Sequence, residues 1–236
     1  MVKFGEYISL LSLEHWIYIT SLVVLALLLF TNKEWIKTHR DKGTIVILIV
    51  SIAQQILLYG SYFVLYDFSL AESLPLHISR INSILGIIFL VSKNPKIYNV
   101  LCYFGIFAWL SFLVPSRVYG ITHPLGISFF VNHVITLLVP YYGMIVYDME
   151  IKTKDRNLVY FWFLVYLVAV MIINPLVDGN YFYLKHKPIF AKAPHGLYLI
   201  GLIIFTYFLF TIAEYLYLKV QVKIKGEPSL EVLLDE

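Results

Sequence analysis

The chain reads as an all-α, polytopic membrane protein with seven transmembrane helices, and three observations predict this. Of its 236 residues, 60% are apolar and only 14% charged, where a soluble domain carries about 25% charged residues. Several apolar runs approach the roughly 20 residues needed to cross a hydrocarbon core about 30 Å thick. The lysines and arginines gather between those runs, in alternate connections, as they do in proteins oriented by cytoplasmic positive charge. The expected organisation is one membrane domain, 1–218, and a polar cytoplasmic tail, 219–236.

The first span, 15–30, opens on Glu14, His15 and Trp16, residue types that suit an interface. No small-x-small cleavage site follows it, so it reads as a retained span and not as a leader. A basic loop, 31–43, leads to the second span, 44–66, which carries Gln54 and Gln55 near its middle and Tyr59, Ser61 and Tyr62 beyond. A short acidic link holds Asp67 and Glu72. The third span opens on Leu74-Pro75-Leu76-His77-Ile78-Ser79-Arg80-Ile81-Asn82 and ends near Val91. The fourth, 97–114, holds the single cysteine, Cys102, and stops at Pro115-Ser116-Arg117. One cysteine excludes an internal disulfide and a cysteine-rich metal site.

The fifth span, 125–146, follows His123-Pro124 and contains Asn132-His133 and Pro140. A charged loop precedes the sixth, 158–177, which ends in Asn174-Pro175 and Asp178-Gly179-Asn180. The loop 178–196 is rich in aromatics and lysines and leads to the seventh span, 197–218. Of 18 lysines and arginines, twelve fall on one side of this arrangement and five on the other; Arg80 lies inside a span. That bias predicts an N-terminus outside and a C-terminus in the cytoplasm, in a plasma membrane of bacterial type.

Depth follows from a rise of 1.5 Å per residue: His77 and Arg80 sit roughly 5–9 Å below the outer end of their span, and His133 roughly 12 Å below that of its own. The polar residues of the spans thus gather in the outer half, with Glu214 the main exception, and predict one outward polar cavity. Ionisable groups in hydrocarbon are costly and mark function by default. His77 and Arg80 share a helical face. Arg80 suits a phosphate or carboxylate, or else a carboxylate of Asp67, Glu72 or Asp178 that orients helices. Ser79 and Ser83 suit a nucleophile beside a histidine or plain packing. Ser128, Asn132 and Thr136 form a stripe beside His133, which suits proton transfer or an interhelical hydrogen bond. Asn82, Asn132, Asn174, Asn180, Lys185 and Lys187 are the further candidates for binding substrate. No HExxH pattern or i, i+4 histidine pair is present, so neither metal nor other cofactor is expected. The net charge of +3 does not point to nucleic acid; the expected partners are membrane lipids, and the oligomeric state is left open.

Three segments, Leu74 to Arg80, Asn132-His133 ahead of Val139-Pro140, and Asn180-Tyr181-Phe182-Tyr183-Leu184-Lys185-His186-Lys187-Pro188, resemble signature segments of the YwaF-like bacterial integral membrane proteins. That family is distantly similar to eukaryotic seven-span phospholipid acyltransferases, which use a cysteine and a histidine. The resemblance implies that His133 is the matching histidine. Ser79 stands where bacterial members often carry cysteine, and the eukaryotic position falls there or at Leu76, so the chain departs from a cysteine mechanism. The reading adopted is a membrane-embedded lipid-modifying enzyme, an acyl transferase acting on phospholipid-like substrates. His133 is its base, His77 orients or shuttles protons, Ser79 is a candidate nucleophile and Arg80 holds the anionic group. The alternative is a transporter or receptor that binds a polar or anionic ligand in the same cavity.

Overall fold

A computed structural model describes residues 5–187 and 190–226. Among these it is all-helical: α1 (Leu13–Thr31), α2 (Lys33–Thr38), α3 (Arg40–Val64), α4 (Ile78–Ser92), α5 (Pro95–Leu113), α6 (Pro124–Tyr147), α7 (Asp155–Val177) and α8 (His195–Lys225), with a 3-10 turn at Tyr181–Tyr183. Six helices are long and apolar enough to cross a membrane. The seventh, α4, is shorter; its 15 residues reach about 22 Å. Only an isolated pairing of Tyr7 with Tyr119 has β character.

The helix ends follow local chemistry. Pro95 and Pro124 open α5 and α6 at positions where a missing N–H costs nothing. The side chains of Asn94 and His123 accept from the N–H groups of Lys96 and Leu125. Asp148 and Asp178 end α6 and α7 in the left-handed conformation, the usual way to close a helix. Three boundaries differ from the sequence expectation. The third span was expected from Leu74, but α4 begins at Ile78: Pro75 has no N–H and biases Leu74 away from helix, and His77 is extended as N-cap. The basic stretch 31–43 holds the short helix α2 instead of a loop. Helix α8 runs on to Lys225, past the expected limit at 218; residues 227–236 of the expected tail, with Lys3 and Pro188, lie outside the described residues.

The bundle is built around α6, which packs on α1, α2, α3, α4, α5 and α8. In its most apolar stretch 72% of α6 is buried, against 17% of α8 and 22% of α1. The outer helices therefore turn leucine, valine and phenylalanine outward, as lipid-facing helices do. Close approach at the centre needs small residues. A Cβ on Gly143 would lie 2.8 Å from the Tyr98 ring and 3.1 Å from Phe89. The alternation of helices brings the starts of α4, α6 and α8 to the same end as the finishes of α3, α5 and α7. Lys37 and Asp148, 2.8 Å apart, tie the opposite end.

Candidate functional site

Where α3 finishes and α4 begins, the link 65–77 folds over the bundle and Arg80 holds it. Arg80 is 9% exposed. Its Nη1 donates to the carbonyls of Glu72 at 2.5 Å and Leu74 at 3.0 Å, and its Nη2 donates to the Tyr62 hydroxyl at 2.5 Å. The guanidinium also lies 5.0 Å from the centre of the Tyr62 ring. Among the described residues no carboxylate pairs with it. Glu72 offers only its backbone, and Asp178, the other partner weighed from the sequence, takes Lys185 at 2.5 Å. Dipoles thus satisfy part of the Arg80 fork but leave its charge uncompensated.

The loop after α7 locks onto the same link through Tyr181. Asn174, in the last turn of α7, accepts from the Tyr181 N–H at 2.8 Å and donates to its carbonyl at 2.9 Å. The Tyr181 hydroxyl donates to the Leu70 carbonyl at 2.7 Å and accepts from the Leu74 N–H at 3.0 Å. His77 meets the same ring edge-on at 4.9 Å, and the Tyr166 hydroxyl donates to the Leu76 carbonyl at 2.8 Å. Asn180 shapes its own loop, its Oδ1 accepting from the N–H groups of Lys185 and His186 at 2.9 Å. Lys187 donates to the Ala193 carbonyl at 2.5 Å and sits 5.1 Å from the centre of the Tyr198 ring. Between the end of α7 and the start of α8 lies a recess of about 400 Å³, bordered by Asn174, Asp178, Lys185, Lys187 and His195. The hydrogen bond from Lys185, and then its charge, hold Asp178 below the usual carboxylate range.

Deeper in the bundle α3, α4 and α6 share a polar network. Gln55 donates through Nε2 to Gln54 Oε1 at 2.6 Å and to Ser83 Oγ at 2.7 Å, and Gln54 donates to Ser128 Oγ at 2.8 Å. Asn82 donates to the Leu101 carbonyl at 3.1 Å. His133 is buried on the neighbouring face of α6, its ring 3.9 Å from Phe129 and 6.1 Å from Phe112. Its Nδ1–H donates to the Phe129 carbonyl at 2.8 Å. A carbonyl only accepts, so in the neutral ring the lone pair resides on Nε2.

Of the residues singled out from the sequence, His77, Arg80, Asn174, Asn180, Lys185 and Lys187 share one end of the bundle, and Asn82, Asn132 and His133 lie inside it. Ser79 occupies the first turn of α4, partly buried; among the described residues no hydrogen bond joins it to His133. The tyrosines that assemble the end, Tyr62, Tyr166 and Tyr181, were missed as partners, although Tyr181 lies within a quoted motif. His15, expected at the cavity rim, is a helix tie: Nδ1 accepts from the Leu11 N–H at 3.0 Å and Nε2–H donates to the Phe112 carbonyl at 2.9 Å. Among the described residues no three His, Cys, Asp or Glu side chains gather as metal ligands.

No curated protein and no solved structure matches the chain. The family model that matches covers residues 10–214, a span that holds all of the site residues just described. The chain therefore belongs to the TMEM164 family of membrane proteins.

Proposed function

We propose that the protein is a membrane-embedded lipid-modifying enzyme that transfers acyl groups between phospholipid-like substrates at the Arg80 end of the bundle. The observation that carries this is Arg80 itself, a buried guanidinium whose charge meets no carboxylate among the described residues. A buried charge is stable only when paired or strongly solvated, and a substrate phosphate supplies the missing pair. In this reading α4 joins the six longer helices in spanning the plasma membrane, and the Arg80 end faces outward, as the lysine and arginine bias predicts. The resemblance to YwaF-like proteins and to seven-span acyltransferases supports the same chemistry.

Arg80 and, at the rim, Lys185 and Lys187 hold anionic headgroups, while Asn82, Asn132, Asn174 and Asn180 line or shape the path. His133 Nε2 takes the proton of an attacking hydroxyl, that of the acceptor lipid or of Ser79, as the acyl carbon moves to that oxygen. The donor ester C–O bond breaks and its oxygen recovers the proton; in the Ser79 route the acceptor hydroxyl then loses its proton and attacks the acyl-Ser79 ester, whose C–O bond breaks as the Ser79 oxygen takes that proton back. His77 orients the link that carries the headgroup. The neutral network of Gln54, Gln55, Ser83 and Ser128 favours the second reading, in which a polar ligand is bound or transported.

The test uses purified protein in liposomes with an isotope-labelled phospholipid donor and a lysophospholipid acceptor, followed by mass spectrometry. Label is expected in the acceptor with the wild-type protein and not with His133→Ala. An absence of transfer, together with a co-purified ligand lost in Arg80→Ala, would replace the enzyme by the binding or transport reading.

A further inference from the structure

Among the described residues, four buried polar atoms along one interface lack a hydrogen-bond partner: the Tyr59 hydroxyl on α3, Asn82 Oδ1 on α4, and Asn132 Oδ1 and Thr136 Oγ1 on α6. Asn82, Asn132 and Thr136 are 0%, 4% and 1% exposed. Leaving such groups dry is costly, and native interiors satisfy them with protein or with bound water. Asn82 and Thr136 meet against Gly105 of α5. A Cβ built on Gly105 of α5 would lie 3.2 Å from Asn82 Nδ2 and 3.2 Å from the Thr136 carbonyl.

The chemistry of that contact is unbalanced. Asn82 Nδ2 is already committed to the Leu101 carbonyl. The Thr136 carbonyl is deprived of its ordinary helical donor, because the residue four positions on is Pro140, which has no N–H. Two amide oxygens and a backbone carbonyl are therefore left without donors, and the Thr136 hydroxyl is without a partner, among the described residues. One water molecule both donates and accepts, and a buried water takes two to four such partners. Water is also the usual remedy where proline frees a carbonyl in a membrane helix. These groups mix acceptors with neutral amide and hydroxyl donors and include no charged side chain, which suits a neutral water molecule and balances neither an anion nor a cation.

We infer that the α3–α4–α6 interface is a hydrated seam, with water bound among Asn82, Asn132 and Thr136 and again beside Tyr59. Tyr59 stands one turn above Gln55 and within electrostatic reach of Arg80 and Tyr62, so the seam starts at the Arg80 end. Gln54 and Ser128 join its two halves, and it runs roughly 20 Å along the helices to Thr136. It rests on the packing of α3 to α6 and not on the acyl-transfer reading: water at this depth serves either proton transfer at His133 or a polar ligand.

Cys102, the one cysteine of the chain, is fully buried, and Cys102→Ala provides a background for thiol accessibility. Thr136→Cys is introduced there, the protein is placed in liposomes, and a small water-soluble methanethiosulfonate is added. Val168→Cys, on the outward face of α7 and 55% exposed toward lipid, is the control, since only a thiolate in water reacts. The expected rate at position 136 is about tenfold above the control, thiolate access being the determinant. A rate no higher than at position 168 overturns the seam. Asn132→Cys reads the same depth, with the same two outcomes, where Thr136→Cys fails to fold.

Discussion

Arg80 and Arg156 both sit in the first turn of a helix, at opposite ends of the bundle, and both lie against a tyrosine ring, at 5.0 Å from Tyr62 and 5.3 Å from Tyr207. Their charges are treated differently. Arg156 Nη1 donates to Glu214 Oε2 at 2.7 Å, with side chains 18% and 6% exposed. Arg80 meets carbonyls and a hydroxyl. The first arrangement is closed in charge, although Arg156 Nε and Glu214 Oε1 keep no hydrogen-bond partner among the described residues. The second holds a cation in place with no carboxylate beside it among the described residues, a pairing that the proposed function assigns to a ligand. Both are arginines largely withdrawn from solvent, so under the proposed function the missing carboxylate is what would separate a ligand site from a helix tie.

The comparison can be broken most severely at the closed end. Arg156→Met leaves Glu214 buried and unpaired, and should destabilise by about 3–5 kcal/mol; Arg156→Met with Glu214→Leu should recover most of that loss. Thermal unfolding in one detergent measures both. Arg80→Met removes three charge-assisted bonds and should cost about 2–3 kcal/mol, and no second substitution of a carboxylate should rescue it. Asn174→Leu undocks Tyr181 from α7 and should cost about 1–2 kcal/mol, with faster amide exchange across residues 178–187 as its local sign.

The smallest effect is a pH dependence at the same end. Burial pushes the His123 imidazole below its ordinary 6.5, and its Nδ1 must stay unprotonated to accept the Leu125 N–H at 3.1 Å. The native state binds fewer protons here than the unfolded chain. The contribution is therefore fully present above pH 6.5 and lost as pH falls through the lower native value. Thermal stability should drop between about pH 7.5 and about pH 5, and His123→Asn, which keeps a capping oxygen, should flatten that drop.

Much of the fold was legible because hydrocarbon imposes simple rules. Apolar length marked the six long helices, and the expected starts at 97 and 125 fall within two residues of those of α5 and α6. The start of α4 was misplaced because an apolar run does not reveal where helix begins; Pro75 does, through its missing N–H and its effect on Leu74. The short α2 was overlooked because a charged six-residue helix has no apolar period to detect. At the site, the cluster of His77, Arg80, Asn174 and Asn180 at one end followed from counting depth along each span. The partners of Arg80 did not. Backbone carbonyls carry no signature in a sequence, and Tyr62 and Tyr181 are two of 19 tyrosines, most of which suit an interface regardless of role. His15 was expected at the interface and His133 roughly 12 Å inside its span, and neither position told a tie from a reactive group. Only the structure shows that both nitrogens of His15 are occupied, while the His133 bond to the Phe129 carbonyl uses Nδ1.

The difference between the two arginines can be measured by native mass spectrometry of protein released from liposomes that contain phosphatidylglycerol and phosphatidylcholine in equal amounts. Wild-type protein should retain the anionic lipid in preference to the zwitterionic one. Arg80→Met should lose that preference, and the Arg156→Met, Glu214→Leu double variant should keep it. Equal retention by wild type and Arg80→Met would contradict the assignment of the Arg80 charge to a ligand, and would leave that arginine as a clamp on the 65–77 link.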